Sequence, residues 1–362
     1  MAVRTYRIAV IPGDGIGKEV VPAAQELLEA VGRRHGFGCE WTQSDWSCEL
    51  YARSGSMTGG RSVSELAGFD AVFLGAVGYP GVPDHVSLWG LLIPIRRQFR
   101  QYVNLRPVRL WPGVRTPLAD RRPADIDMVI VRENNEGEYS EIGGRLYAGT
   151  PAELAVQQSV FTREGVDRVL RYAFERARAR PAKHLTSATK SNGIIHTMPF
   201  WDERFEAVAA DYPDVRTDQY HIDILTAHLV QHPDWFDVIV ASNLFGDILS
   251  ALGPAVAGSI GLAPGANLNP DRTHPSMFEP VHGSAPDIAG KGVANPVAQM
   301  LTGAMMLEHL GEADAAAAIE AAVEAVLAAG ATRTGDLGGA ATTAEMTAAI
   351  VAALGRVPST PA

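Results

Sequence analysis

The chain has 362 residues, 46% hydrophobic and 20% charged, with a formal net charge of -10. That composition belongs to a soluble globular protein with a large core, and the acidic excess disfavours nucleic acid and anionic membranes as partners. Two cysteines, Cys39 and Cys48, are too few for a disulfide framework, so free thiols in a reducing cytoplasm are expected. The start Met1-Ala2-Val3-Arg4-Thr5 lacks the apolar segment of a signal peptide, and no apolar run reaches membrane-spanning length.

In chain order, Arg7–Pro12 reads as a short buried strand, Gly13–Gly17 as a turn, and a helix follows to about Val31. Ala71–Leu74, Asp127–Val131 and Phe236–Ala241 read as further buried strands. Helical spacing marks Gly165–Arg178, Asn295–Leu310 and the Ala-rich Ala313–Gly330, while glycine and proline make Gly253–Pro280 a long structured loop. Strands alternating with helices predict an α/β protein.

Six segments carry candidate chemistry. The loop Gly13-Asp14-Gly15-Ile16-Gly17-Lys18 has G-x-G-x-G spacing, not the G-x-G-x-x-G of a dinucleotide fold, and a tight turn is the better reading. Arg96 and Arg100 share a face if their segment is helical, as on any solvated helix. Arg106 precedes a proline in an apolar stretch, and Arg132 closes a buried strand. A lone guanidinium in such a place is costly, and its fork matches carboxylates, so these arginines point to a diacid pocket. Arg132–Ser140 is a polar loop after a strand end, where α/β proteins place ligands. Lys190 alone carries little weight. Asp223 and Asp247, set among isoleucines and leucines, need either a hard cation or an ion-pair partner. The last segment, Phe278–Lys291 with Asn295-Pro296, is an ordered loop before a helix whose N–H groups suit a phosphate.

Taken together, Asn104-Leu105-Arg106-Pro107, Ser242-Asn243-Leu244-Phe245-Gly246-Asp247 and His282-Gly283-Ser284-Ala285-Pro286-Asp287 resemble the β-decarboxylating dehydrogenases of the isocitrate/isopropylmalate dehydrogenase family. The wording Arg132-Glu133-Asn134 through Tyr139-Ser140 is closest to the tartrate and D-malate branch. The resemblance spans Ile8 to about Leu354. It implies a two-lobed α/β fold with non-classical dinucleotide binding. A discontinuous larger lobe would hold residues 1–100 and 252–362, and a smaller lobe, 101–251, would carry an arm that clasps a second subunit. It also implies a cytoplasmic homodimer with shared active sites.

By the same resemblance, Arg96, Arg106 and Arg132 clamp substrate carboxylates. Lys190 is the general base, supplied with Asp223 by the partner subunit, and Tyr139 the acid that protonates carbon after carbon dioxide leaves. Asp223 and Asp247 are ligands of Mg²⁺ or Mn²⁺, with K⁺ as an optional further cofactor. His282, Gly283, Ser284, Ala285, Asp287 and Asn295 form the adenosine-binding loop. NADP-dependent relatives place lysine and tyrosine where this chain has Asp287-Ile288, and a carboxylate there repels a 2′-phosphate, so NAD is expected.

The expected reaction is oxidation, with metal-assisted decarboxylation, of a (2R)-2-hydroxy diacid such as D-malate or tartrate. Gly90 replaces the serine of isocitrate enzymes, and Trp89 the glutamate common in isopropylmalate enzymes. The apolar Leu92-Ile93-Pro94-Ile95 keeps a 3-alkyl- or 3-aryl-malate open. One departure stands out: the family's second aspartate, four residues after the first, is Ala251 here. Either water fills the vacant position, or metal binding and catalysis are impaired and the chain is a ligand-binding homologue.

Overall fold

The computed structural model describes residues 4–357; the signal-peptide reading rests partly on Met1–Val3, outside that range. The chain opens with β1 (Arg4–Gly13), α1 (Gly17–His35), β2 (Phe37–Gln43), α2 (Cys48–Ser54) and β3 (Ala71–Ala76). A helical stretch then runs through α3 (Asp84–Ser87), a π-helical turn over Leu88–Leu92, and α4 (Ile93–Gln98). Next come β4 (Val103–Arg109), β5 (Asp127–Glu133), β6 (Gly143–Leu146), β7 (Leu154–Gln157), α5 (Arg163–Arg178), β8 (His184–Thr189), α6 (Thr197–Ala209), β9 (Arg216–His221) and α7 (Ile222–Gln231). The chain closes with β10 (Val238–Ala241), α8 (Asn243–Ala257), β11 (Ala266–Leu268), β12 (Ser276–Phe278), α9 (Val297–Leu310), α10 (Ala313–Ala329) and α11 (Thr343–Leu354).

Ten strands form one sheet in the order β2-β1-β3-β12-β11-β4-β5-β10-β8-β9. Both flanks are parallel, and the three central pairings β12–β11, β11–β4 and β4–β5 are antiparallel. The parallel strands read as unbroken apolar runs because both faces are covered: all of Ala71–Ala76 is buried, as is all of Val238–Ala241. Alternation sends Ile8, Val10 and Phe73 into one core and Ala9, Ile11, Val72 and Leu74 into a second core on the other face. The seam β11–β4 joins strands far apart in the sequence, pairing Asn267 with Asn104.

Helix α5 shows why these segments fold as they do. Thr162 caps it by accepting from the Gly165 amide, and Val166, Val169, Leu170 and Ala173 bury one stripe. Phe174 on that stripe stacks on Tyr212 at 4.8 Å. Truncating Leu170 to alanine there costs about 2–5 kcal/mol.

The expected loop over Gly253–Pro280 is not one. Helix α8 continues through Pro254 to Ala257, and two short strands follow. A proline in the last turn forfeits only one backbone bond, and three-residue strands are too short to show a period. Arg100 also leaves the helical face shared with Arg96: α4 ends at Gln98, and Arg100 takes a left-handed φ of 47°.

Beside the main sheet, β6 and β7 form a separate two-stranded ribbon whose residues are all exposed. Leu146, Tyr147, Leu154 and Val156 lie on or beside it, each at least 42% exposed, although an isolated hairpin of this kind is marginal in water. No described helix is long and apolar enough to cross a membrane. Both cysteines are free, and burial pushes the thiols of Cys39 and Cys48 up to about 12 and 11.

Candidate active site

The site forms at the central antiparallel seam. On β4, alternation turns Asn104 and Arg106 to one side and Leu105 to the other. Asn104 donates to Asn267 Oδ1 at 2.8 Å and accepts from Arg106 Nε at 2.7 Å. Asn267 donates in turn to Glu279 Oε1 at 2.8 Å, and Arg96 from α4 reaches the same oxygen at 2.7 Å. Arg106 lies 3.9 Å from it. This network is closed to solvent, with Arg96 and Glu279 side chains only 6% and 7% exposed. Burial by itself drives Glu279 towards its neutral form, but Arg96 and Arg106 outweigh it and hold the carboxylate below its usual range. Burial lowers Arg106 to about 10 and also lowers Arg132.

Arg132 arrives from the end of β5. Its Nη2 and Nε donate to Asn243 Oδ1 at 2.7 and 3.1 Å, and its Nη1 pairs with Asp247. The wording of Ser242–Asp247 follows from this approach. A Cβ at Gly246 would stand 2.5 Å from the Arg132 side chain, so only glycine admits it. Glu138 accepts from Ser242 Oγ at 2.7 Å and from the Leu244 amide at 3.0 Å, capping the positive end of α8. Asp247, on the second turn of α8, is half-exposed. Burial opposes its ionisation, yet Arg132 and a 2.7 Å hydrogen bond from Tyr139 Oη hold it below the usual carboxylate range. Burial and Asp247 push the Tyr139 phenol up to about 12, so it remains protonated.

Three buried guanidinium groups therefore face two carboxylates, Glu279 and Asp247. The surplus positive charge prepares this place for an anion.

Lys190 and Asp223 form a second group. Lys190 follows β8, Asp223 opens α7, and they pair at 2.8 Å with side chains 28% and 66% exposed. The Lys190 hydrogen bond holds Asp223 below the usual carboxylate range. Their surroundings are exposed apolar groups, Ile194, Ile195 and Ile224. Asp223 is thus not embedded among its neighbouring isoleucines. Among the described residues no three His, Cys, Asp or Glu side chains converge as a metal cluster.

The third group is the loop 282–291. The tight-turn reading of Gly13–Gly17 agrees with the structure, and the turn is bound to this loop: Ile16 donates to the Ser284 carbonyl at 2.8 Å. A Cβ at Gly15 would come within 2.0 Å of that carbonyl. Beside them lies a cavity of about 460 Å³ bounded by Gly15, Lys18, Tyr79, Pro286 and Gly290. His282 is buried with its Nε2 unpartnered, and burial lowers its basicity. Ala285 holds a left-handed φ of 41°, while Gly283 and Asp287 are exposed. Asn295 is already engaged, accepting from Val297 N at 3.1 Å and donating to Asp336 at 3.0 Å.

Several residues of the site were not singled out from sequence. Glu279 and Asn267 meet Arg96, Arg106 and Asn104 across more than 160 residues of chain, and a lone acid between Phe278 and Pro280 was the only local sign. Arg97 is another. It lies 5.2 Å from the Trp89 ring, donates to the Tyr139 carbonyl at 2.9 Å and pairs with Glu141 at 2.8 Å. The helical stretch 84–98 is thereby tied to the Tyr139 loop. Within that stretch Ile93 and Ile95 are buried, while Leu88, Trp89 and Leu92 are part-exposed on either side of Gly90.

Residues 7–350 match the model of the family described as Isocitrate/isopropylmalate dehydrogenase. The chain is 58% identical to D-malate dehydrogenase [decarboxylating] of Escherichia coli (strain K12), covering 96% of this chain and 98% of that one. It is 54% identical to tartrate dehydrogenase/decarboxylase of Pseudomonas putida, over 99% and 100% of the two chains. A crystal structure of isocitrate dehydrogenase from Methylococcus capsulatus superposes with a TM-score of 0.86 at 36% identity, over 96% of this chain and 99% of that one.

Proposed function

The chain belongs to the isocitrate/isopropylmalate dehydrogenase family, and on that premise we propose that it catalyses NAD-dependent oxidation and decarboxylation of a (2R)-2-hydroxy diacid such as D-malate or tartrate. The observation that carries this reading is the surplus of buried positive charge at Arg96, Arg106 and Arg132 beside the half-exposed carboxylate of Asp247 and the protonated phenol of Tyr139.

The residues fit the two groups that the reading requires. Asp247 and Asp223 offer hard oxygen donors that remain accessible, which suits Mg²⁺ or Mn²⁺ completed by substrate oxygens and water. A second protomer would bring Asp223 and Lys190 to Asp247, with the β6–β7 ribbon as the clasp. The cavity beside loop 282–291 and the unpartnered His282 Nε2 suit an adenine nucleotide. The exposed Asp287 can accept hydrogen bonds from both ribose hydroxyls, which favours NAD over NADP. Bound there, the cation supplies Lewis-acid stabilisation to the substrate hydroxyl and carboxylate, and the nicotinamide supplies the hydride acceptor.

The chain's own groups do the rest. Arg96, Arg106 and Arg132 bind and orient the two carboxylates, with Arg96 and Arg106 fixed beforehand by Glu279 and Asn104. Lys190 takes the proton of the 2-hydroxyl as hydride leaves the carbon. Tyr139, protonated throughout the working range, delivers a proton to the carbon that loses carbon dioxide. Arg97 holds the Tyr139 backbone against the helical stretch 84–98. In the two-lobe arrangement, residues 1–100 and 252–362 would carry the nucleotide, and 101–251 the dimer contacts.

The test is a panel of 2-hydroxy diacids with Mn²⁺ or Mg²⁺, reading NADH and carbon dioxide together. D-malate or tartrate should yield both in equal amounts. A larger 3-alkylmalate should be the poorer substrate, because Ile93 and Ile95 turn into the core. No turnover across the panel at saturating metal overturns the proposal, and NADH without carbon dioxide overturns its decarboxylating half.

A further inference from the structure

The same alternation that aims Asn104, Arg106 and Asn267 at the active site aims Leu105 and Leu268 to the far face of the sheet, where Phe278 also packs. There they floor a second cavity of about 230 Å³. Its walls come from distant segments of the chain, with Tyr172 and Arg176 from α5, and Met305, Glu308 and His309 from α9. At roughly 30 Å³ per water-sized group, it holds about seven non-hydrogen atoms.

The rim of this cavity is charged but not balanced. Arg176 faces Glu308 at 3.8 Å. Arg272, on the loop between β11 and β12, also lines the cavity and has no ion-pair partner among the described residues. Its position is set in advance. Arg272 holds a left-handed φ of 55°, a conformation that costs a non-glycine residue energy and persists only where the surroundings impose it. The fully buried Asn269 imposes it: its carbonyl accepts from Arg272 N at 3.0 Å, and its side chain accepts from Thr273 N at 2.8 Å. His309 packs beside Phe278 at 5.5 Å between ring centres, and burial together with Arg272 lowers it to about 4, so it adds no charge at neutral pH. Burial pushes the Tyr172 phenol up to about 12, leaving it a hydrogen-bond donor.

We propose that this cavity is a second ligand site, taking a small monocarboxylate with a short apolar body. One surplus cation at the rim matches one carboxylate, and the apolar floor matches an alkyl chain of a few carbons. A diacid is disfavoured, because its second charge would meet Leu268, Phe278 or Glu308. Since the walls belong to both halves of the sheet, the ligand bridges them behind the diacid clamp.

Butyrate is the probe, with butyramide as its neutral isostere. Saturation-transfer NMR and calorimetry should show butyrate binding in the presence of a large excess of D-malate, and butyramide binding at least about tenfold more weakly. Arg272→Gln, an exposed substitution that leaves the core intact, should weaken butyrate about tenfold. Met305→Trp, which fills the cavity from α9, should abolish binding. Displacement of butyrate by D-malate would place it in the clamp and overturn the proposal. So would equal binding of butyramide, or butyrate binding that neither variant changes.

Discussion

Two cation–carboxylate groups of this protein have similar chemistry and opposite surroundings. Arg96 and Glu279 are sealed at 6% and 7% exposure within a hydrogen-bonded seam. Lys190 and Asp223 sit at 28% and 66% exposure among uncovered isoleucines. The first is finished within one chain, with every charge placed before a ligand arrives. The second has the character of an unfinished surface, in which a lone ion pair in water contributes little to stability. The difference separates a half of the site that a single chain completes from a half that, on the proposed dimer, a second copy would complete.

The largest effect should come from breaking that second group. Lys190→Ala is expected to lower turnover by about 10²–10⁴, the range for losing a general base. Asp247→Asn should be similarly inactive. If Lys190 serves the Asp247 of a partner, co-expressing the two variants restores one intact site in each mixed dimer. Random assortment then returns about a quarter of wild-type activity. Mixed dimers that form, as shown by mass spectrometry, and stay inactive would place the whole site within one chain.

The sealed group answers to a different measurement. Glu279→Gln leaves Arg96 and Arg106 buried without their shared counter-ion, and removing one partner of a buried pair costs about 3–5 kcal/mol. The expected result is a cooperative denaturant midpoint shifted well down. Asp223→Asn, by contrast, should leave stability nearly unchanged. Equal stability losses at the two positions would erase the distinction between them.

How much of this was legible follows the same division. The strands at Arg7–Pro12, Ala71–Leu74 and Asp127–Val131, and the helix over Gly165–Arg178, show in sequence because buried parallel strands and amphipathic helices have local periods. The motif arginines were readable because a guanidinium at a buried strand end is costly without a partner. Glu279 and Asn267 were not, nor was the role of the motif residue Asn104, because their meaning lies in the antiparallel seam between distant segments, and β11 and β12 have only three residues each. The exposure of Asp223 was hidden for a related reason. Ile224, which looks like core in sequence, is left uncovered at the start of α7, while Ile222 packs only partly against the core.

A smaller effect lies inside the seam, at Glu133. This carboxyl is fully buried at the end of β5, accepting only from the amides of Asn135 and Glu136 at 2.9 Å, and burial raises it to about 7. A carboxyl raised on folding binds more protons in the native than in the unfolded state between about pH 4.5 and 7. Its contribution to stability is therefore greatest at acid pH and is lost as pH rises through 7, by at most about 3 kcal/mol. Glu133→Gln should remove that slope, so that thermal midpoints of variant and wild type diverge in pH dependence across this window. Parallel profiles would show that the two amide bonds fully compensate for burial.

The smallest effect sharpens the comparison at its boundary, on α8. Ala251 lies one turn beyond Asp247 on the same face of the helix and is exposed, so an aspartate there would point where a cation bound to Asp247 sits. Mg²⁺ and Mn²⁺ keep water readily in a vacant position, so on the proposed metal site the missing carboxylate would weaken affinity without removing the site. Ala251→Asp is expected to tighten Mn²⁺ binding about tenfold, read by electron paramagnetic resonance of free Mn²⁺ with no turnover required. Turnover at saturating Mn²⁺ should change less than about threefold, because the added ligand acts on occupancy and not on Lys190 or Tyr139. Unchanged affinity would mean that Asp247 stays paired with Arg132 and Tyr139 when metal is present, leaving the exposed half of the site without a metal-binding role.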